Sequence, residues 1–314
     1  MQKISFVIPC YRSAQTLPLV IEEIGNKMRQ EALAKRYTHE VILVCDGSPD
    51  DTFDVIRRLS EQDEKITGIS FARNFGQHAA LMAGLRHVSG DIVICLDDDG
   101  QTPADECDLL IAEIEKGHDA VYARYDRKQH TGFRNFGSAV NERMTRMMLG
   151  KPKELYISSY FAVKRFIADE MVRYENAYPY VIGLLLRATT DIVNVTVHHR
   201  QRTSGTSGYT LKKLMALWMN GFTAFSIKPL RIATLTGAFF AFAGFIYGAW
   251  TIIKHLFVNP DQPVGWSSTM SVMLFIGGML MLMLGLIGEY IGRIYVSMNA
   301  APQYVIREIV KKEA

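Results

Sequence analysis

Two long uncharged segments near the C-terminal end constrain the fold of this chain more than any other feature. Ile232–Ile253 contains 22 residues and Val264–Gly288 contains 25, and neither includes a charged side chain. As a helix, each segment is long enough to cross a hydrocarbon core about 30 Å thick. A buried hairpin of a soluble protein is the alternative, but two such runs in tandem favour membrane-spanning helices. We therefore predict a two-helix transmembrane hairpin over residues 229–298.

Basic residues flank this predicted hairpin on both sides. Lys228 and Arg231 precede the first segment and Arg293 follows the second, whereas the connecting turn, Lys254–Pro263, holds one lysine and one aspartate. Positively charged flanks stay on the cytoplasmic side of a membrane. The N-terminus leads directly into a strand-like run, without the pattern of a secretory signal. The sequence therefore predicts a multi-pass protein of the cell inner (cytoplasmic) membrane, with a cytoplasmic N-terminal domain and a cytoplasmic tail over 299–314.

Residues 1–209 alternate between short apolar runs and segments with helical spacing, which predicts an α/β domain with a mostly parallel sheet. The strand candidates are Ile4–Pro9, Glu40–Cys45, Ile66–Phe71, Asp91–Leu96 and Ala120–Ala123. The helix candidates are Leu17–Gln30, Thr52–Gln62, Gln77–Arg86 and Asp105–Lys116. In such sheets, ligands bind beyond the carboxyl ends of the strands. Polar residues follow four of these strands, so we expect those residues to collect on one edge of the sheet.

Several classes of function are disfavoured by what the sequence lacks. The segment after the first strand candidate, Pro9–Ala14, contains no glycine, which argues against a dinucleotide-binding dehydrogenase. No Gly-Lys-Ser/Thr loop occurs, which argues against a P-loop nucleotidase. The formal net charge of +3 is too small to indicate a nucleic-acid partner. The four cysteines lack metal-ligand spacing, so we interpret them as reduced core residues.

Three consecutive aspartates, Asp97, Asp98 and Asp99, follow the fourth strand candidate. Carboxylates crowded at the end of a strand repel one another unless a cation lies among them, and Mg²⁺ takes carboxylate and phosphate oxygens together. The motif therefore predicts a metal-bridged nucleotide diphosphate. A solvated acidic turn, favoured by Gly100 and Pro103, is the alternative.

A glycine- and hydroxyl-rich segment, Arg202–Tyr209, lies between the α/β domain and the predicted hairpin. It is either a flexible linker or a loop that closes over a phosphate. The following residues, Leu211–Ile227, place apolar side chains on one helical face, and we predict an amphipathic helix in the membrane interface over 210–228. A core helix is the alternative for this segment.

Several motifs occur in a characteristic order along the chain. They are Ile8–Tyr11, Asp46–Thr52, Arg73–Gly76, Leu96–Gln101, Tyr122–Arg124, Arg202–Tyr209 and the two uncharged segments. Together they resemble glycosyltransferase family 2, specifically the membrane-bound polyprenyl-phosphate glycosyltransferases related to dolichyl-phosphate mannose synthase and the bactoprenol glucosyltransferases. The resemblance implies a GT-A (Rossmann-like) nucleotide-sugar-binding domain. It also implies inverting transfer of a sugar, with UDP as the expected carrier, to an undecaprenyl phosphate-like lipid, and Mg²⁺ or Mn²⁺ as cofactor.

The resemblance also assigns catalytic residues. Asp97 and Asp99 match the two acidic positions of the family's Asp-x-Asp motif; Asp99 is the better expected metal ligand, and Asp97 is expected to contact either the ribose or the metal. Gln101 follows that motif, where it would contact the donor sugar or the acceptor phosphate. Arg202 matches the loop that closes over phosphate, where a planar guanidinium gives bidentate contact.

Substrate-binding residues follow from the same resemblance. Asp46 matches the acidic position that recognises the nucleotide base or ribose, and Pro9 and Tyr11 would line the same pocket. Ser207 belongs with the phosphate-closing loop. Two weaker candidates for binding the lipid phosphate are Arg124 and Arg134, and a solvated surface arginine is an equal alternative for Arg134.

One departure from the family pattern concerns Ser159, which we also count among the substrate-binding residues. Many relatives carry an aspartate in a Gly-Asp-Phe-Arg segment, proposed as a catalytic base, whereas this chain reads Ser158-Ser-Tyr-Phe161 with Ser159 at the aspartate's position. A serine of ordinary pKa cannot replace a carboxylate base. A lipid phosphate needs no such base, because its second pKa is about 6.

Two other functions stay open on the sequence alone. A processive polysaccharide synthase carries a Gln-x-x-Arg-Trp motif and more spans, and only His199-Arg-Gln-Arg202 is loosely similar. A membrane scaffold or nucleotide-sugar sensor without turnover is supported only by Ser159. Small residues of the first uncharged segment, Gly237, Gly244 and Gly248, would permit close helix packing in a homo-oligomer.

Overall fold

The computed structural model describes residues 1–125, 152–198, 266–298 and 302–312, together with residues 230, 233–240, 242, 246 and 250. The chain divides into two compact units. We call residues 1–217 with 300–314 the sheet domain, and residues 218–299 the helical unit. The following predicted features lie outside the described residues: Arg134, Arg202, Ser207 and the interfacial helix over 210–228.

In its described residues, the sheet domain contains one sheet of eight strands. They are β1 Gln2–Cys10, β2 Tyr37–Cys45, β3 Ile66–Phe71, β4 Ile92–Cys95, β5 Ala120–Tyr125, β6 Phe161–Lys164, β7 Ile192–Val197 and β8 Ile306–Lys311. Their order across the sheet is β7-β5-β6-β4-β1-β2-β3-β8. Strands β6 and β8 run antiparallel to their neighbours, and the other pairs are parallel.

Seven helices accompany the described part of this sheet. They are α1 Leu17–Met28, α2 Glu31–Ala34, α3 Thr52–Gln62, α4 Gln77–His87, α5 Cys107–Glu115, α6 Arg165–Val172 and α7 Val181–Ala188. A 3₁₀ turn, Ala104–Glu106, precedes α5. All four helices and all five strands predicted from the sequence are present, and no boundary differs by more than three residues.

The central strands explain why the polar residues share an edge. β1, β2 and β4 are almost continuously apolar and buried, as expected for parallel strands covered on both faces. In their register, Cys10 of β1 lies beside Cys45 of β2, and Val7 of β1 lies beside Cys95 of β4. Because these strands are parallel, the residues that follow them emerge at the same edge of the sheet.

Strand β8 differs from the prediction of a separate tail over 299–314. It pairs antiparallel with β3, so that Gly68 lies opposite Val310. A Cβ atom at Gly68 would lie 2.7 Å from a methyl group of Val310 and 2.4 Å from one of Ile56 in α3, so this close packing requires glycine. Arg57 of α3 also pairs with Glu308 at 3.1 Å. The C-terminal residues therefore complete the edge of the sheet.

The helical unit contains helix α8, Trp266–Met298, which is 33 residues long. Its segment Phe275–Gly292 has a mean hydropathy of 1.7 and no buried residue, and among the described helices it alone is long and apolar enough to cross a membrane. Residues 233–240 are also helical. A Cβ atom at Gly237 would lie 2.7 Å from Cε of Met283, and the rings of Phe240 and Phe275 lie 5.1 Å apart. The two helical stretches therefore pack together, while the number of membrane spans stays a prediction.

Candidate active site

The loops after β1, β2 and β4 are joined by hydrogen bonds at the carboxyl edge of the sheet. The backbone N–H of Tyr11 donates to the carboxylate of Asp98 at 3.0 Å, and that of Arg12 donates to Oγ of Ser48 at 2.9 Å. Tyr11 is 45% exposed here, and the Arg12 guanidinium lies 5.7 Å from its ring centre. Pro9 is buried within β1. The edge therefore offers the Tyr11 ring to a ligand.

The Asp46 carboxylate binds the backbone of the loop that follows β3. Its two carboxylate oxygens accept hydrogen bonds from the backbone N–H groups of Phe75 at 2.6 Å and Gly76 at 2.8 Å. Burial raises the pKa of Asp46, which is only 4% exposed, and these two bonds oppose the shift. Gly47 has a φ of 58°, and a Cβ atom there would lie 2.4 Å from the carbonyl carbon of Arg73, so the loop can approach β2 this closely only beside a glycine. Each carboxylate oxygen keeps a lone pair for a ligand.

Asp97 is held from two sides by neutral donors. Oδ1 accepts a hydrogen bond from the side-chain amide of Gln77 at 2.9 Å, and Oδ2 accepts one from the hydroxyl of Ser159. Burial raises the pKa of Asp97 to about 6; the Ser159 hydroxyl opposes this shift, and the charges of Asp99 and Asp98 add to it. The carboxylate is thus fixed in direction and lies close to the negative charges of Asp98 and Asp99.

The sheet register explains why Ser159 meets Asp97. Cys95 of β4 lies opposite Phe161 of β6 in the antiparallel pair, so the same register continued by two residues sets Ser159 opposite Asp97. Phe161 also lies opposite Tyr122 of β5, and this register continued sets Arg124 opposite Ser159. Asp97 just beyond β4, Ser159 just before β6 and Arg124 near the end of β5 therefore lie at neighbouring positions along the carboxyl edge of the sheet.

The other two aspartates have different surroundings. The Asp98 carboxylate accepts a hydrogen bond from the backbone N–H of Tyr11. The backbone carbonyl oxygen of Asp98 accepts one from the Thr16 hydroxyl at 2.6 Å. Burial raises the pKa of Asp98, and hydrogen bonds oppose the shift. Asp99 accepts from the backbone N–H of Gln101 at 3.0 Å. Asp98 thus links the ends of β4 and β1, whereas Asp97 and Asp99 are the two positions suited to a ligand.

This donor set fits a divalent cation that shares its ligands with phosphate. Burial raises the pKa of Asp97, and the nearby charges of Asp99 and Asp98 raise it further, so a cation bound here would stabilise the ionised carboxylate. Within the described ranges, no three His, Cys, Asp or Glu side chains are placed to hold a metal ion by themselves. Two carboxylates would therefore need further oxygens from a substrate or water, which is how Mg²⁺ is commonly held beside phosphates.

Comparison with known proteins gives the family. Residues 5–172, more than half of the chain, match "Glycosyl transferase family 2". The chain belongs to glycosyltransferase family 2. A second match, to "GtrB C-terminal hairpin", covers residues 228–294 and so includes both uncharged segments of the predicted transmembrane pair.

Relatives within the family align with the whole chain. The undecaprenyl-phosphate 4-deoxy-4-formamido-L-arabinose transferase of Yersinia enterocolitica is 35% identical over all of this chain and 95% of its own length. The protein of the same name from Yersinia pestis is 34% identical with the same coverage. The resemblance stated from the sequence is therefore confirmed.

Solved structures of the same fold include glucosyl-3-phosphoglycerate synthase from Mycobacterium tuberculosis. Its complex with Mn²⁺, UDP-glucose and phosphoglyceric acid has a TM-score of 0.52 at 20% identity, covering 69% of this chain and 76% of that one. The complex with Mn²⁺ and UDP-glucose has a TM-score of 0.51 at 21% identity, covering 75% and 78%. The predicted mixed α/β, Rossmann-like GT-A fold is therefore confirmed.

Gln77 is the site residue of this glycosyltransferase that the sequence did not predict. It directly follows the motif Arg73–Gly76 and begins α4, so its position after a family motif was the available signal. Its function as a donor to Asp97 depends on how α4 packs across β1 and β2, next to the end of β4.

Replacing Ser159 with alanine is expected to weaken sugar transfer without abolishing it. The change removes one hydrogen bond to Asp97 while Gln77 still holds the other oxygen. A hydrogen bond to a charged group contributes about 1.5–3 kcal/mol, so we expect kcat/KM to fall by about 10- to 150-fold. Steady-state kinetics of sugar transfer measure this. A loss of several orders of magnitude with donor binding intact would show that the Ser159 hydroxyl takes part in the chemistry.

Proposed function

We propose that this glycosyltransferase transfers a sugar, with inversion, from a nucleotide sugar to the phosphate of a polyprenol at the cytoplasmic face of the inner membrane. The observation that carries the proposal is the fixed pair Asp97 and Asp99 at the carboxyl edge of a family 2 fold, the edge that also carries Arg124. The relatives that align with the whole chain are named as undecaprenyl-phosphate sugar transferases. UDP is the expected nucleotide.

The donor would bind with its diphosphate toward Asp97 and Asp99. When bound, Mg²⁺ or Mn²⁺ held by these two residues would neutralise charge on the departing nucleotide diphosphate. Gln77 and Ser159 keep the Asp97 carboxylate aimed at that position. Gln101, whose backbone positions Asp99, follows directly and would contact the sugar or the acceptor.

The nucleoside would lie nearer to β1 and β2. Tyr11 offers an exposed ring for stacking, and Asp46 offers its remaining lone pairs to the base or ribose. Pro9, near the end of β1, is proposed to line the same pocket. Arg202 and Ser207 are proposed to close over the phosphates, as the family resemblance implies.

The acceptor phosphate would act as its own nucleophile. A phosphomonoester with a second pKa of about 6 is already ionised at neutral pH. One of its oxygens forms the bond to the anomeric carbon as the bond from that carbon to the diphosphate breaks, so the configuration inverts. Ser159 need not accept a proton in this step. Arg124, at the same edge of the sheet as Asp97, and Arg134 are proposed to attract the acceptor phosphate.

The hairpin over 229–298 and the interfacial helix over 210–228 are proposed to hold this site at the level of the lipid headgroups. A tethered site meets a membrane lipid at a much higher effective concentration than a free one. Gly237 packs closely against Met283 of the same chain, so its surface is occupied within one molecule. Gly244 and Gly248 are proposed for contacts between copies in a homo-oligomer.

The test is transfer of radiolabel from a nucleotide sugar into a lipid extract. Purified full-length protein, undecaprenyl phosphate and Mn²⁺ are mixed with a panel of labelled nucleotide sugars that includes UDP-glucose and the nucleotide-linked 4-deoxy-4-formamido-L-arabinose. We expect an organic-extractable, mild-acid-labile product from at least one donor. A polymeric product would identify a polysaccharide synthase instead. Nucleotide binding without any product would identify a scaffold or sensor.

A further inference from the structure

The C-terminal residues contact the start of the loop after β3, the same loop whose backbone donates hydrogen bonds to Asp46. We call residues 302–312 the tail segment. The ring of Tyr304 stacks on the buried ring of Phe71 at 5.1 Å with an angle of 7° between their planes. The N–H of Ala72 donates to the carbonyl of Val305 at 2.9 Å, and the Arg307 guanidinium donates to the carbonyl of Ala72 at 3.0 Å. Both backbone polar groups of Ala72 are therefore bound to the tail segment.

Ala72 begins the loop that reaches both acidic positions of the site. The ring of Phe75 packs edge-on against Phe71 at 5.8 Å, and the N–H groups of Phe75 and Gly76 bind Asp46. Gln77, the next residue, donates to Asp97. A shift of Phe71 or Ala72 would thus be transmitted through at most five residues to the groups that position the two carboxylates.

The tail segment also holds a second loop beside the site. Gln303 is only 8% exposed, and its side-chain amide donates to the carbonyls of Tyr174 at 3.2 Å and Asn176 at 3.1 Å. That loop leads to Tyr180, whose ring packs edge-on against His78 at 5.1 Å. Because His78 follows Gln77 in α4, both loops held by the tail segment meet at the start of this helix.

We propose that the tail segment is a positioning element of the donor site, and that Tyr304 and Gln303 are its positioning residues. They act through Phe71, Ala72 and the loop up to Gln77, and they touch no substrate. The inference rests on the proposed function, because it takes Asp46 and Asp97 to face the donor. Within the tail segment, β8 pairs with β3 and so fixes the position of Gln303 and Tyr304. The effect of these two residues on the site can therefore be measured separately from the chemical step.

The experiment compares three variants of the full-length protein in detergent. Tyr304→Ala removes the stack on Phe71, Tyr304→Phe keeps it, and Ile309→Ala removes an exposed side chain, 48% accessible, from the same segment. Calorimetric titration with UDP and MnCl₂ is expected to give about tenfold weaker binding for Tyr304→Ala, the scale of one lost aromatic pair with its packing. Tyr304→Phe and Ile309→Ala should bind within about twofold of the unchanged protein.

Kinetics of the same variants separate positioning from general loss of structure. For Tyr304→Ala we expect the donor KM to rise about tenfold, with kcat and the acceptor KM within about twofold. Should Tyr304→Ala fail to fold, Gln303→Ala releases the second loop and is expected to raise the donor KM severalfold. Unchanged UDP affinity in a folded Tyr304→Ala or Gln303→Ala protein would overturn the proposal. Equal weakening by Ile309→Ala would do so too.

Hydrogen exchange distinguishes failure of this inference from failure of the proposed function. Amides of Phe75 and Gly76 are hydrogen-bonded to Asp46, so their exchange reports the loop without any ligand. Faster exchange of these two amides in Tyr304→Ala supports positioning by the tail segment even where no sugar is transferred by the unchanged protein. Exchange at the original rate would overturn it, whatever the transfer assay shows.

Discussion

Asp99→Asn is expected to abolish sugar transfer while the protein still inserts into membranes. The substitution preserves the size of the side chain and an oxygen that can accept from the Gln101 backbone, but it removes one formal negative charge from the metal position. A metal that stabilises a leaving diphosphate contributes several kcal/mol to the transition state, so we expect a loss of about a thousandfold or more. Transfer rates measure the loss of activity. UDP titrations with and without Mn²⁺ measure binding, and in Asp99→Asn only the Mn²⁺-dependent part of the UDP affinity should disappear.

Asp98, the residue before Asp99, provides a matched control for the Asp99→Asn variant. Asp98→Asn makes the same change of charge one position away, where the side chain accepts from Tyr11 and can continue to do so as an amide. We expect this variant to keep activity within about tenfold. The metal assignment would be wrong if EDTA left the activity unchanged, if Asp99→Asn were fully active, or if Asp98→Asn were equally inactive.

Removing the hairpin is expected to abolish the use of long-chain lipid but not the binding of nucleotide. Residues 210–299 are replaced by a Gly/Ser linker of about 30 residues, which averages about 30 Å between its ends and can extend to about 100 Å. Residues 300–314 are kept, because they supply β8. With the site no longer held at the membrane, turnover of undecaprenyl phosphate in bilayers should fall by about 10²- to 10⁴-fold.

Two comparisons make this result interpretable. A short, water-soluble prenyl phosphate should be used about equally by the linked variant and the full chain, because no membrane is involved. A chain ending at Tyr209 lacks β8 as well as the hairpin, and it should bind UDP about tenfold more weakly than the linked variant if the tail segment positions the donor site. Equal turnover of the long-chain lipid by the linked variant would refute a membrane-holding function for the hairpin.

Local sequence determined the part of the fold that could be predicted. β1, β2 and β4 are continuous apolar runs, which indicate buried parallel strands without reference to the rest of the chain. β6 has only four residues, and β8 reads Ile-Arg-Glu-Ile-Val-Lys, so neither differs from a loop in its local pattern. β8 becomes a strand because β3 is available more than 200 residues earlier in the chain, and such long-range pairing leaves no periodic signal.

The same difference between local sequence and long-range contacts decides which residues of the candidate site could be predicted. Charge crowding in the sequence indicated a cation near Asp97, Asp98 and Asp99, with a solvated turn as the alternative, and the family resemblance then singled out Asp97 and Asp99. The different function of Asp98 depends on the backbone N–H of Tyr11, and the hydroxyl partner of Asp97 depends on the register of β6. These contacts join residues from separate elements, so they follow from tertiary packing and not from spacing. Arg134, Arg202 and Ser207 stay predictions.

Pairing of β8 with β3 imposes an order on the biosynthesis of this protein. The ribosome completes β1 to β7 first, then makes the two apolar helical stretches, and releases the last strand of the sheet only at the end. At about 5–20 residues per second, residues 218–301 delay that strand by about 4–17 s. During this interval β3 is an unpaired edge open to misassociation. A nascent chain that stops within residues 218–299 therefore never completes its sheet, so every molecule with a closed β3 edge has also translated the whole helical unit.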